Sequence, residues 1–191
     1  MKKLIFGVLA GLVLAMNAVS VNAADVDNYS ITNYEVKMTL GRDAENRSTL
    51  QTVETITAQF PDFDQNHGLE KVFVREYNGH PTSLNLVSVT DENGVSLPYG
   101  WNNDALRIGE ADKYVHGQKT YVITYTQRDV TRHYADTGND EFYWDVIGTE
   151  WRVPIEKAKV VLTVEDGDET KVVSGPFCYR GVGGSTNQCD I

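Results

Sequence analysis

The chain has 191 residues, 27 acidic against 17 basic, and a formal charge of −10 at neutral pH. That excess of acid excludes binding to nucleic acid and electrostatic attachment to anionic lipid, since each needs a concentrated positive patch. The length suits one globular domain with a sizeable core.

Lys2 and Lys3 precede an apolar run from Leu4 to Met16, broken by Gly7 and Gly11, and then a small-residue segment ending Val21-Asn22-Ala23. Positive, apolar and small-residue regions in that order predict a cleavable signal peptide over residues 1–23. The apolar run is shorter than the ~20 residues that span a bilayer. No Cys follows it to carry a lipid. Cleavage after Ala23 removes two lysines and no acid, leaving 15 basic and 27 acidic residues and a charge of −12. Residues 24–191 are therefore expected outside the cytoplasm: secreted, periplasmic or at the cell surface.

Beyond the leader the chain reads as strands. Tyr34, Val36, Met38 and Leu40 alternate with polar residues, the period of a half-buried strand. A polar turn (41–48) leads to a Thr-rich run, Leu50 to Phe60, with Ile56, Ala58 and Phe60 on one face. Leu69–Val74 and Leu84–Thr90 are the next two strands. Asn93-Gly94 predicts a tight hairpin into Val95–Tyr99. Ala105–Ile108 is short. Thr120–Thr126 alternates Tyr121, Ile123 and Tyr125 against threonines. The segment 139–155, NDEFYWDVIGTEWRVPI, concentrates aromatic residues between acids, and Gly148 divides it into two strand-like runs, Glu141–Ile147 and Trp151–Ile155. Ala158, Val160, Leu162 and Val164 share one face of a further strand, and Lys171–Ser174 supplies a last edge. No ten-residue helix is evident. Short strands at this spacing predict an all-β, antiparallel, immunoglobulin-like two-sheet β-sandwich. The expected organisation is a signal peptide at 1–23 and a single β-sandwich domain over 24–191.

Cys178 and Cys189 are the only cysteines. In an oxidising compartment an even count predicts one disulfide, closing a short Gly/Ser-rich C-terminal loop worth roughly 2–3 kcal/mol by loop-closure entropy. Their spacing matches no redox pair or metal knuckle.

No catalytic, cofactor-binding or metal-binding residue is assigned. His67, His80, His116 and His133 show no ligand spacing. His67 and His116 each precede Gly, which suits a turn. No Gly-x-Ser-x-Gly elbow is present. Asp140, Glu141, Asp145 and Glu150 contain enough carboxylates for a glycosidase, but an acidic run is ordinarily a solvated rim. Asp166-Gly167-Asp168-Glu169 departs from a calcium loop and suits a turn. The candidate binding surface is Tyr99, Trp101, Tyr143, Asp140 and Glu141. Phase places Trp144 and Trp151 on the core side and leaves Trp101, in an apparent loop, exposed.

Four segments in order, ITNYEVKMTL with TVETITAQF, then HGLEKVFV, HGQKTYVITYTQRDV and NDEFYWDVIGTEWRVPI, resemble the exported N-terminal domain of the YciQ-like predicted membrane proteins. The likeness runs from about Tyr29 to Cys189. It implies an extracytoplasmic β-sandwich at the cell envelope and supplies no catalytic residues, since the family is defined only as a domain of unknown function. Its members usually continue into transmembrane helices. Ending at Ile191, this chain implies either a stand-alone secreted version or a missing or separate anchor. The expected function is a non-enzymatic interaction module, without cofactor, whose partner is an envelope protein or a glycan. The alternatives are a carbohydrate-binding module and a carboxylate-based glycan hydrolase.

Overall fold

A computed structural model describes residues 26–77, 79–165 and 172–191. The leader, and the Asp166–Glu169 and Lys171 positions, lie outside the described residues. Every regular element among those described is a strand.

The main sheet is built from the most strictly alternating segments: β1 (Ser30–Arg42), β2 (Ser48–Phe60), β6 (Asn85–Thr90), β9 (Gly117–Arg128) and β12 (Ala158–Val164), in the order β12-β1-β2-β9-β6. In β2 every second residue from Ser48 to Phe60 is buried, and β9 buries Tyr121, Ile123, Tyr125 and Gln127. The other face carries threonines from both strands, including the Thr57–Thr120 hydroxyl pair, as suits a sheet solvated on one side. In β1 a register shift between Ile31 and Asn33 changes the phase by one residue, so Ile31 and Tyr34 both reach the core.

Three of the four ladders are antiparallel, but β12 pairs with β1 in parallel, from Tyr34↔Ala158 to Leu40↔Val164. The sheet is therefore mixed, against the uniformly antiparallel expectation.

A second sheet has the order β3-β8-β7, from β3 (Gly68–Val72), β7 (Tyr99–Asn102) and β8 (Ala105–Gly109). Gly68 and Gly109 face each other at its end with positive φ, and a Cβ on either would strike the backbone opposite, Ile108 O or His67 O. Glycine is required at both positions. Leu69, Leu106 and Ile108 from this sheet join one hydrophobic cluster with Ile31, Tyr34, Val36, Ile56, Phe60, Ile123 and Tyr125 of the main sheet. Small hairpins complete the description: β4 (Glu76–Tyr77) with β5 (His80–Pro81), β10 (Arg132–Tyr134) with β11 (Asn139–Glu141), and β13 (Tyr179–Arg180) with β14 (Asn187–Gln188).

Several expectations need correcting. Past Glu141 the segment 142–154 forms no strand, and Ile155 makes only an isolated bridge to Ile31. Its groups are satisfied locally: the Trp151 indole donates to Ile147 O at 3.0 Å, and Gly148 N–H donates to Asp145 Oδ1 at 3.3 Å, around Gly148 at φ 87°. Trp101 lies in β7, opposite Leu106, and the turn is Asn103 at φ 53°. The Asn93-Gly94 turn forms, but the arm after it reduces to one Thr90–Ser96 bridge because Tyr99 onward pairs with β8 instead. Residues 172–174 are not a strand.

Candidate functional site

The five residues expected to share a binding surface stand on three separate segments: β7, β11 and the irregular stretch after it. Tyr99 and Trp101 stand on β7, exposed at 49% and 42%. Trp101 lies 5.5 Å from the Phe73 ring, tilted 53° to it, and under the Arg75 guanidinium at 4.5 Å. Tyr143 is 75% exposed on the irregular segment, and among the described residues no ring contact joins it to Tyr99 or Trp101. Asp140 and Glu141 belong to β11. Asp140 lines one cavity and Asp145 another, so these two carboxylates do not share a cleft. Trp144 and Trp151 are half-buried against the core, Trp144 beside Phe142 (5.8 Å) and Tyr77 (5.7 Å), and Trp151 edge-on to Tyr34 (5.8 Å).

What the structure does assemble around Asp140 is a polar groove of about 510 Å³ at one end of the main sheet. Arg42 ends β1, Asn46 lies in the first turn, Ser48 opens β2, Asp129 follows β9, and His133 and Asp140 are cross-strand partners in β10–β11. Arg42 donates to Asp140 Oδ2 at 2.7 Å, and His133 Nδ1 lies 2.8 Å from Asp140 Oδ1. The Arg42 hydrogen bond, with that from His133 second, holds the Asp140 carboxyl below the usual carboxylate range. Ser48 Oγ accepts N–H from Val130 and Thr131 and pins the turn after β9. Among the described residues four non-glycine positions have positive φ, and three of them, Asn46, Ser83 and Asp129, line this groove. None of the β10–β11 pairing was visible in the sequence, where His133 and Asp140 are merely seven residues apart. Among the described residues no group of three or more His, Cys, Asp or Glu is placed to hold a metal.

A second feature sits in the core. Glu54 is fully buried and accepts from the Tyr34 and Tyr125 hydroxyls, each at 2.6 Å, while Lys71 Nζ lies 3.1 Å from the same carboxylate. The Lys71 ammonium stands 5.2 Å from the Phe73 ring centre and 5.9 Å from that of Tyr34. This network ties β1, β2 and β9 to β3. Burial first, and then the Glu54 charge, hold both tyrosine hydroxyls well above their usual range. Phase alone could have found Glu54, two residues before Ile56 on the same face. With every member paired and enclosed, the cluster is structural.

The third feature is the outer strand. β12 is the edge of the main sheet, and Val160, Val161 and Leu162 are exposed at 40–42%. The expected face is there, since Val160 and Leu162 neighbour the buried Val36 and Met38, but among the described residues nothing lies beyond it in the sheet. Cys178 and Cys189 are disulfide-bonded, as expected, and Cys189 N–H donates to Cys178 O at 3.0 Å across the β13–β14 hairpin. No helix among the described residues is long and apolar enough to cross a membrane.

Comparison with solved structures finds likeness to peptidases. An M1 zinc metallopeptidase variant from Deinococcus radiodurans, bound to a Tyr-Ser-Ala substrate, is 11% identical with a TM-score of 0.45, over 71% of this chain and 32% of that one. A second M1 zinc metallopeptidase structure from Deinococcus radiodurans is 11% identical with a TM-score of 0.35, over 52% of this chain and 20% of that one. Leukotriene A4 hydrolase from Saccharomyces cerevisiae is 8% identical with a TM-score of 0.35, over 54% and 15%. The chain thus spans a third or less of each, and at such scores neither fold nor activity transfers. No curated protein matches. The family model described as the N-terminal domain of a predicted membrane protein (DUF2207) matches residues 30–188, from the first residue of β1 to the last of β14, and the chain belongs to that family.

Proposed function

We propose that this chain is an exported, non-enzymatic recognition domain of the cell envelope, and that it holds a polypeptide partner along the free edge of β12. It folds as a single immunoglobulin-like β-sandwich over residues 24–191 once a signal peptide at 1–23 is removed. Support for the sandwich comes from the one hydrophobic cluster that takes side chains from both sheets. Support for export comes from the Cys178–Cys189 disulfide, a bond of oxidising compartments, and from membership of a predicted membrane-protein family.

The observation that carries the interaction role is the β12 edge. An unpaired edge strand with exposed apolar side chains is a template for adding another strand, and proteins ordinarily blunt such edges with charge, Pro or a bulge. From Val160 to Val164 β12 has none of these. The opposite edge, β6, is bulged between Leu86 and Ser88.

The test is a photo-crosslinking residue placed at position 161 in the exported chain, with a control at Val87 on the bulged edge, 58% exposed. Adducts to a polypeptide from position 161 and not from 87 are expected. Absence of any adduct from 161 overturns the reading.

Carbohydrate binding is the second reading, favoured by the polar groove, whose side chains offer hydroxyl, amide, imidazole and carboxylate groups to a hydroxylated ligand. On that reading His133→Ala abolishes glycan binding in calorimetry, and Trp101→Ala leaves it intact.

A further inference from the structure

We infer that the partner of the β12 edge is the β12 edge of a second copy of this chain, joined in antiparallel register about a two-fold axis. The inference rests on the preceding reading, that the edge is an interaction surface, and adds which polypeptide occupies it.

Symmetry is the first argument. Pairing β12 with the other edge of the next copy, β6, would leave a new free edge at each step and generate an open filament, whereas antiparallel pairing of one edge with itself closes at two. Register is the second. Val160 and Leu162 continue the core-facing side of the sheet beside Val36 and Met38, while Val161 sits beside Lys37 on the other side. A two-fold axis perpendicular to the sheet keeps the two core-facing sides together only when opposed residues have the same parity along the strand, because neighbours alternate faces. Two such registers centre on the exposed apolar run, one on Val161 and one on Leu162.

Charge is the third argument, and it agrees with both registers. Centred on Val161, the pairing sets Lys157 opposite Glu165. Centred on Leu162, it sets Lys159 opposite Glu165. By symmetry each pair occurs twice, at the two ends of the apolar run. Opposite charges across neighbouring strands are favourable, and like charges there are not. A slip by one residue from the Val161 register, to Val160 opposite Val161, flips the faces and loses the Lys157–Glu165 pair, since Lys157 then stands opposite Val164. The sequence KAKVVLTVE, residues 157–165, is thus apolar in the middle with cation and anion at its ends, a pattern self-complementary only in antiparallel sense. The regular β1–β12 ladder, seven pairs without a bulge, holds the edge straight enough for another strand.

The experiment is sedimentation equilibrium of the purified exported chain together with cysteine trapping. Twice the chain mass is expected. Val161→Lys, which adds charge at an exposed position, returns the monomer with unchanged circular dichroism. Glu165→Lys weakens the dimer at least tenfold, and adding Lys157→Glu and Lys159→Glu to it restores the dimer. Opposed Cα atoms in an antiparallel pair lie ~4.5–5.5 Å apart, within reach of a disulfide. Val161→Cys or Leu162→Cys therefore gives a covalent dimer on mild oxidation, and whichever traps faster identifies the register. A monomer at every concentration up to the solubility limit, with no trapping, overturns the inference. If the crosslinker at position 161 then captures a different polypeptide, the edge is still an interaction surface and only the self-pairing is wrong. If it captures nothing, both fail.

Discussion

Glu54 and Lys71 show what a single pair of residues costs and holds in this protein. A carboxylate with no solvent contact stays because two phenols and an ammonium surround it, and those three partners come from three strands in two sheets. Removing one charge strands the other, which costs about 3–5 kcal/mol for a buried pair, whereas removing both charges is far milder. Lys71→Met is therefore expected to lower stability in urea by about that amount. Glu54→Gln, added to it, should recover at least half, since the amide still accepts from one tyrosine and donates to the other. Simple additivity of the two changes would show that they do not act as one network. The phase of β2 made Glu54's side legible, and nothing in the local sequence named Lys71 as its partner, because that contact depends on how the sheets meet. Trp101 is exposed, as expected, yet its ring lies against Phe73 and under the Arg75 guanidinium, so Trp101→Ala touches more than a bare surface position would.

Among the elements, those that alternate strictly were legible and those rich in aromatics were not. β1, β2 and β9 bury the residues that their period assigns to one face, because a strand between two neighbours has its environment set by the pleat. Residues 142–154 looked like two strands on composition, since aromatic and β-branched residues favour strands. Their indole and carboxylate groups close local turns instead, and propensity cannot see a turn made by a side chain four residues away. The groove was hidden for a related reason: it draws on the ends of several strands and on the unforeseen β10–β11 hairpin. The C-terminal hairpin is a separate case. Its strands are two residues each, exposed, and outside the hydrophobic cluster. Cys178→Ser is expected to cost no more than the loop term of about 2–3 kcal/mol. Hydrogen exchange should speed up within residues 178–189 and stay unchanged in β1, β2 and β9. Loss of protection in the main sheet would show that the bridge supports the core.

For the molecule as a whole, the tyrosines make the fold sensitive to alkali. Burial above all holds the hydroxyls of Tyr34, Tyr121 and Tyr125 well above their ordinary range and pushes Tyr29 up to about 12. A folded-state value above the unfolded one means stability that is complete below an ordinary tyrosine's titration, near 10, and drains away as pH rises from there through the folded values. These four of the ten tyrosines should keep their protons at about pH 11 and release them only with unfolding, seen as a step in tyrosinate absorbance coincident with loss of near-ultraviolet circular dichroism. Ionisation of all ten before that loss would contradict it. The all-β class was legible because strand periodicity survives any sheet order; the order itself, and the parallel placement of β12 beside β1, was not, since it is decided by long-range pairing. That placement has a mechanical consequence. The chain enters β1 at Ser30 and leaves β12 at Val164, and the two run the same way, so entry and exit lie at opposite ends of one ladder. Tension between the ends loads all seven residue pairs in shear together, where an antiparallel closing strand would peel open one bond at a time. A domain tethered on one side and gripped on the other would carry its load along the first strand and resist to the last pair.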